Sequence, residues 1–251
     1  MAEANNPKRQ RQKELRRAKI EQQIREHRAR RRRRLTVLAG LLALVLAALV
    51  LARVWDPTDD PTEAAEDSDE TSTETSAQAP QDLEAPDMTI DPSTTYAATV
   101  STSMGDIVIE LDPQMSPNTV NSFVSLARMD YYEGLVFHRI VKDFALQGGS
   151  PAGDGMGGPG YSVQDDVPQD FRYTRGVVAM AKTGADPAGT SGSQFFIVPA
   201  DSAAERFTPD YAVLGRVVDG MDVVDAMNNV AVEGETPVET ITIEGIEISE
   251  S

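Results

Sequence analysis

Hydrophobic residues follow two patterns along the chain, and the first is one long apolar run. Residues 35–52, LTVLAGLLALVLAALVLA, contain no charge and no proline. As a helix rising 1.5 Å per residue, the run is about 27 Å long, close to the roughly 30 Å of a bilayer's hydrocarbon core. It predicts a transmembrane helix over residues 35–54. A cleaved signal peptide is the alternative, although its apolar region is usually only about 7–15 residues long.

The second pattern consists of short segments of alternating apolar and polar residues in the C-terminal part of the chain. Residues 96–111 predict two strands, with Ile107 and Ile109 on one face. A helix is predicted to follow, because Ser116 can cap its N-terminus and Pro117 suits its first position. Further strands are predicted at 135–140, 144–147, 177–181, 194–198, 211–218 and 240–248, and a second helix near 221–227. Many short strands, glycine-rich turns and two helices favour a closed barrel or a sandwich.

Charge is distributed unevenly along the chain, and this distribution predicts the orientation of the transmembrane helix. Residues 1–34 hold fourteen Lys and Arg against four Asp and Glu, whereas the formal charge of the whole chain is −17. Because basic segments beside a membrane span stay in the cytoplasm, we predict a basic cytoplasmic tail (1–34) and export of everything after the span. Nucleic-acid binding is an alternative use of this tail, but topology and anionic lipid already account for its charge. Membrane lipids are therefore predicted partners and nucleic acid is not.

An acidic stretch separates the predicted span from the predicted strands. Residues 55–95 are rich in Asp, Glu, Pro, Thr and Ser and contain no Lys or Arg. Such a composition cannot bury enough apolar surface to fold, so a disordered, self-repelling linker is predicted. The folded domain is then 96–251. The chain has no cysteine, which rules out disulfides and thiol chemistry and is compatible with a bacterial envelope.

Several chemistries are excluded by the residues of the predicted domain. His138 is its single histidine and its acidic pairs lack calcium-loop spacing, so no metal site is predicted. No G-x-S-x-G motif is present, which argues against a Ser-His-Asp hydrolase. Gly153, Gly155 and Gly158 match the dinucleotide pattern G-x-G-x-x-G, but Pro159 and the residues after it cannot open the required helix. We predict a tight surface loop with positive φ angles instead.

Four motifs carry a resemblance to a known family. They are FHRIVKDFALQGGSPAGDGMGGPGY (137–161), GVVAMA (176–181), GTSGSQFFIV (189–198) and YAVLGRVVDGMDVV (211–224). In this order and at this spacing they resemble the cyclophilin family of peptidyl-prolyl cis-trans isomerases over about residues 99–248. The resemblance implies an eight-stranded antiparallel β-barrel capped by two α-helices. It also implies that the domain needs no cofactor or metal and binds proline-containing peptides.

The resemblance further implies which residues form the site. Arg139 matches the family's catalytic arginine, and Gln147 matches the glutamine that orients the arginine and contacts the substrate. The residues implied to bind substrate are Phe144, Ala145, Met180, Ala181, Lys182, Thr183, Gln194, Phe196, Phe207 and Tyr211.

Some of these positions depart from the family's frequent residues. Arg206 and Phe207 stand in place of a Trp-Leu pair, and Tyr211 stands in place of a histidine. Phe207 can still close an apolar pocket, whereas Arg206 cannot replace the indole donor. Ala145 stands where methionine is common and is expected to widen the approach to the pocket. Lys182 stands where asparagine is usual and is expected to favour acidic peptides.

Taken together, these features predict a membrane-anchored, extracytoplasmic, monomeric prolyl isomerase that assists the folding of exported proteins. Rotation about an X-Pro bond breaks no covalent bond, so a hydrophobic pocket and one fixed cation are sufficient. The alternative is a binding module that clamps proline peptides and contributes little rate. Arg139 argues against this alternative, because a clamp needs the pocket but not the cation. A third hypothesis is a tether whose basic tail works in the cytoplasm.

Overall fold

The computed structural model describes residues 79–251, which form a strand-rich domain. The predicted basic tail, the predicted transmembrane helix and the predicted linker as far as residue 78 lie outside the described residues. Among the helices of residues 79–251, none combines the length and the apolar character that crossing a membrane requires.

Short strands dominate the domain, as the alternation in its sequence predicts. The strands found in the described residues are β1 (Tyr96–Thr102), β2 (Gly105–Leu111), β3 (Phe137–Val141), β4 (Ala145–Gly148), β5 (Val163–Gln164), β6 (Val177–Met180), β7 (Thr190–Ser191), β8 (Phe195–Ile197), β9 (Val213–Asp219), β10 (Val232–Glu233), β11 (Thr236–Pro237) and β12 (Ile243–Glu250). The helices are α1 (Pro117–Arg128) and α2 (Met221–Asn228), and a 3-10 helix covers Asp201–Glu205. The prediction of a mainly β domain with two α-helices is confirmed.

Eight of the strands form one antiparallel sheet that curls toward a barrel. Its order is β12-β1-β2-β9-β6-β8-β4-β3. The two edge strands meet at their starts, where Val136 and Thr242 form a single bridge and the N–H of Phe137 donates to the carbonyl of Ile241 at 2.9 Å. The predicted barrel is therefore present as a curled sheet whose edges join over a short stretch, not as a fully laddered cylinder.

Helix α1 receives its N-terminal cap from a distant loop. Ser116 occupies the cap position, but its hydroxyl makes no capping hydrogen bond. The carboxylate of Asp165 instead accepts the backbone N–H groups of Asn118 at 3.2 Å and Thr119 at 2.7 Å. A negative charge is favourable at this end of a helix. Ser116 therefore holds the predicted cap position, but the capping hydrogen bonds come from a charged carboxylate that is distant in sequence.

The domain extends further toward the N-terminus than its predicted boundary. Residues 79–95, assigned to the linker from composition, contribute Ile90 to the main hydrophobic core and form hydrogen bonds with α1 and with the glycine-rich loop. Ile90 is 5% exposed, and its N–H donates to the side-chain oxygen of Asn121 on α1 at 3.3 Å. Leu83 donates its N–H to the carbonyl of Pro159 at 2.8 Å. A few apolar residues and one amide side chain are enough to fix this acidic segment.

Candidate active site

Antiparallel pairing across four neighbouring strands places predicted site residues in one row. Arg139 on β3 pairs with Gln147 on β4, and Gln147 pairs with Phe196 on β8. Phe196 in turn pairs with Ala179 on β6. Residues directly opposite one another in a sheet share a face. The sheet therefore sets a cation, an amide and an aromatic ring side by side.

Met180 lies on the opposite face of the sheet from this row. It pairs with Phe195 rather than with Phe196, is 1% exposed, and belongs with Phe195 to the main core. Phe196 and Ala145 pack in a separate, smaller cluster. Because successive side chains of a strand alternate between faces, Met180 is a core residue and does not line the predicted pocket.

Arg139 is held by an acidic partner that no sequence motif marks. Its Nε donates to the carboxylate of Glu235 at 2.5 Å, and the Arg139 side chain stays 35% exposed. Glu235 lies in the turn between β10 and β11, where its carbonyl also accepts the N–H of Ile140 at 2.7 Å. Because 96 positions separate the two residues, only the fold brings Glu235 to the site.

Gln147 turns toward another amide and not toward the guanidinium. Its Nε2 donates to Oε1 of Gln194 at 3.0 Å. Gln194 then donates to the carbonyls of Gly155 and Gly157, each at 3.0 Å. These bonds fix the glycine-rich loop against the sheet. Within the described residues, the Arg139 guanidinium is thus hydrogen-bonded to Glu235, while Gln147 is hydrogen-bonded to Gln194.

Three phenylalanine rings, Phe144, Phe207 and Phe196, form an aromatic column beside the row. Phe207 stacks on Phe144 with ring centroids 4.4 Å apart and 15° between the planes, and on Phe196 at 5.1 Å and 9°. The guanidinium of Arg206 lies 4.0 Å from the ring centroid of Phe144. It therefore covers the ring face of Phe144 that Phe207 does not contact. Tyr211 meets Phe196 edge-on at 87°. The structure thus brings together the aromatic residues that the resemblance assigned to the proline pocket.

Tyr173, which lies outside the four motifs, anchors the loop that carries Phe207 and Tyr211. Its hydroxyl donates to the carbonyl of Tyr211 at 2.6 Å and accepts the N–H of Tyr211 at 2.9 Å. The buried ring also contacts Phe196 and Phe207. Burial raises the pKa of Tyr173 to about 12, so its phenol remains protonated and can donate. Tyr173 therefore fixes the aromatic column through its hydrogen bonds to Tyr211 and its ring contacts with Phe196 and Phe207.

A cavity of about 230 Å³ opens at Gln147, and its lining includes none of the three rings of the aromatic column. Gln147, Gln194 and residues 181–183 line it together with the glycine-rich loop. Lys182 reaches its rim, with Nζ lying 5.7 Å from the centroid of the Tyr211 ring. The residues predicted to pair with the substrate backbone are thus found next to the predicted polar contacts.

His138 and the glycine-rich loop are the two features of the sequence that raised the question of other chemistries. Both ring nitrogens of His138 are buried. Burial, followed by the positive charge of Arg139, lowers the pKa of His138, so the ring is neutral at pH 7. The glycine-rich loop has φ angles of +71° at Gly153 and +83° at Gly155, which confirms the predicted positive-φ surface loop.

Comparison with known proteins places this geometry in a family. The model of "Cyclophilin type peptidyl-prolyl cis-trans isomerase/CLD" matches residues 97–248. The chain is 34% identical over 154 residues to peptidyl-prolyl cis-trans isomerase cypE of Dictyostelium discoideum, which covers 60% of this chain and 96% of that protein. It is 36% identical over 181 residues to peptidyl-prolyl cis-trans isomerase A of Mycobacterium tuberculosis, which covers 64% of this chain and 97% of that protein.

Solved structures agree with these matches. A crystal structure of a Cryptosporidium parvum cyclophilin type peptidyl-prolyl cis-trans isomerase has 31% identity and a TM-score of 0.57, covering 62% of this chain and 98% of that one. A structure of the same protein in the presence of the dipeptide Ala-Pro has 30% identity and a TM-score of 0.56, covering 61% and 98%. The matched region contains the row formed by Arg139, Gln147 and Phe196, called the Arg139 row below, and it also contains the aromatic column. The chain therefore belongs to the cyclophilin-type peptidyl-prolyl cis-trans isomerase family.

Proposed function

We propose that Arg139 supplies the cation that lowers the barrier to rotation about a bound X-Pro peptide bond. Resonance between the nitrogen lone pair and the carbonyl sets this barrier at about 18–20 kcal/mol. A donor aimed at the prolyl nitrogen stabilises the twisted state, in which the lone pair is localised, and no bond has to break. The observation that carries this role is the partly exposed guanidinium of Arg139 in one row with Gln147 and Phe196.

Glu235 fits this mechanism as a positioning residue. Its bond to Nε fixes the plane of the Arg139 guanidinium, while within residues 79–251 the two Nη groups keep their donors for a substrate. A donor that is already fixed needs no reorganisation when the bond twists. A partly exposed ion pair adds little to stability, so the effect of Glu235 falls on the geometry of the cation.

The substrate backbone is proposed to lie along residues 181–183, with Gln147 and Gln194 as polar contacts. The cavity beside these residues then receives side chains that precede the proline. Lys182 at the rim favours acidic residues at such positions. The peptide is thus held on the polar side of the site while its proline is directed toward the aromatic column.

The activity is tested with the full-length chain and a short Ala-Pro peptide, by exchange NMR of the cis and trans proline signals. Uncatalysed exchange takes tens of seconds or longer, so catalysis is recognised by cross-peaks that appear on a shorter time scale. We expect such cross-peaks at substoichiometric protein. Peptide shift changes without faster exchange would instead identify a proline-peptide receptor. What keeps that alternative open is the departure of Arg206, Phe207 and Tyr211 from the family's frequent residues.

The setting of this activity is proposed to be the outer side of a membrane, where the domain assists the folding of exported proteins. The support is the apolar run 35–52, the basic residues before it and the acidic residues after it. The full-length chain, expressed in bacteria, is expected to remain in the membrane fraction after an alkaline carbonate wash. A deletion of residues 35–54 is expected to release it. A soluble product that lacks the first residues would show a cleaved signal peptide and contradict the anchor.

A further inference from the structure

We propose that Phe207 occupies the place of the substrate's proline ring and must leave the aromatic column before a prolyl peptide binds. Phe207 is then the residue that sets the affinity of the site. This inference rests on the proposed function of the Arg139 row, because that row defines where the proline ring has to lie.

The aromatic column has no free ring face at its Phe144 end. Phe207 stacks on one face of Phe144 at 4.4 Å, and the guanidinium of Arg206 lies 4.0 Å over the ring. Two groups at such short distances cannot share a face, so they cover opposite faces. A proline ring therefore has no apolar face of Phe144 to pack against while Phe207 remains in place.

The Phe196 end of the column is closed by the same side chain. Phe196 lies in the row next to Gln147, which puts its ring within the reach of a substrate held by Arg139. Phe207 is stacked on it almost in parallel, at 9°, and Phe196 is only 4% exposed. Tyr211 closes its edge at 87°. The surface on which a proline ring has to pack is thus already occupied by a ring.

Ala145 gives an independent sign that this space is filled. Its small side chain is expected to open the approach to the pocket, since methionine is common at this position in the family. Ala145 is nevertheless 3% exposed and packs in the same cluster as Phe196 and Phe207. The volume that alanine leaves is therefore taken up by neighbouring side chains and does not form an opening.

The position of Phe207 in the fold allows it to move. It lies outside the sheet, in the loop after the 3-10 helix Asp201–Glu205. The loop is anchored on both sides of it, by the N–H of Arg206 to the carbonyl of Ala203 and by the bonds between Tyr211 and Tyr173. Between these anchors Phe207 is held by ring packing and is only partly buried. Its ring can swing outward without breaking a strand.

The energetic consequence is a competition between two rings for one surface. The apparent dissociation constant rises by the inverse of the fraction of molecules whose Phe207 is displaced. Leucine at this position keeps an apolar side chain but loses the flat ring that stacks on both partners. We expect Phe207→Leu to bind an Ala-Pro peptide about tenfold more tightly, which corresponds to about 1.4 kcal/mol.

The first experiment is a peptide titration of the full-length chain followed by NMR shift changes, with Phe207→Leu and the matched control Phe171→Leu. Phe171 contacts Tyr173 at 5.0 Å in the same cluster but is no member of the aromatic column. Tighter binding by Phe207→Leu and unchanged binding by Phe171→Leu support the proposal. If Phe207 were an ordinary pocket wall, its replacement would weaken binding, and this result would overturn the proposal.

A second measurement does not depend on any variant remaining folded. In the wild-type chain with labelled aromatic residues, ring-to-ring NOEs between Phe207 and Phe196 are expected to disappear at saturating Ala-Pro peptide. NOEs between the proline ring and Phe196 are expected to replace them. Phe207–Phe196 NOEs that persist at saturation overturn the proposal. Because both readouts report binding, they stand apart from a failure of Arg139 to catalyse, which exchange rates alone reveal.

Discussion

Replacing Arg139 by alanine is expected to lower kcat/KM for a prolyl peptide by about 10²–10³-fold, the loss that follows removal of one preorganised donor. The reason is that the rings of Phe144 and Phe196 hold the proline whether the X-Pro bond is planar or twisted, whereas the guanidinium favours the twisted form. The loss is therefore expected in kcat, with the peptide dissociation constant changed little. Exchange NMR gives the rate, and shift changes in the same samples give the affinity.

Two further variants show whether the loss comes from an oriented cation. Glu235→Gln is expected to lower the rate by about tenfold in the wild-type chain and to have no added effect in Arg139→Ala, because it acts through Arg139. Arg128→Ala is the matched control, since Arg128 also pairs with a glutamate, Glu250, in a half-exposed surface pair. An equal loss in Arg128→Ala would mean that net charge, not position, sets the rate.

Replacing Phe195 by alanine is expected to lower the free energy of unfolding by about 3–5 kcal/mol, the usual cost of deleting a buried aromatic side chain. Phe195 is fully buried, and its ring meets Phe123, Tyr132 and Phe137 near right angles at 5.8–6.0 Å. Its loss opens a cavity where helix α1 and the sheet share their core. Urea unfolding followed by circular dichroism measures the change.

The matched control for this variant is Phe171→Ala. The ring of Phe171 is partly exposed and packs at the edge of the smaller cluster, so its removal is expected to cost clearly less than the loss of Phe195. A loss in Phe195→Ala no larger than in Phe171→Ala would contradict the assignment of Phe195 to the centre of the core. The comparison also separates the two faces of β8, because Phe195 serves the core and Phe196 the site.

The sequence pattern was sufficient wherever neighbours in the chain decide the structure. The alternation of apolar and polar residues predicted the strands. Because side chains of a strand alternate between its two faces, Arg139, Gln147 and Phe196 lie on one face once the strands are paired. The same alternation separates Met180 from the site, although the resemblance had placed it there. Adjacent positions in a motif do not imply a shared face, so Met180 and Ala181 have different surroundings.

The residues that could not be predicted act across long separations. Asp165 caps α1 from a loop 46 positions away, and Glu235 holds Arg139 across 96 positions. Tyr173 forms hydrogen bonds with the backbone of Tyr211. Because any residue can supply backbone groups, the residue type at position 211 does not predict this contact. A side chain that binds a distant backbone group or a distant charge produces no periodic pattern in the sequence around it. Their positions become visible only when the strands are assembled.

The packing of residues 79–95 bears on how this domain can be moved from one protein to another. The family match begins at residue 97, so a fragment cut there would contain all the matched residues. Such a fragment would remove Ile90 from its place beside α1 and leave the Asn121 side chain, 3% exposed, without the backbone groups it binds. Each buried polar group left unpaired costs about 1–3 kcal/mol. The portable unit is therefore the family domain together with its own N-terminal segment, residues 79–251.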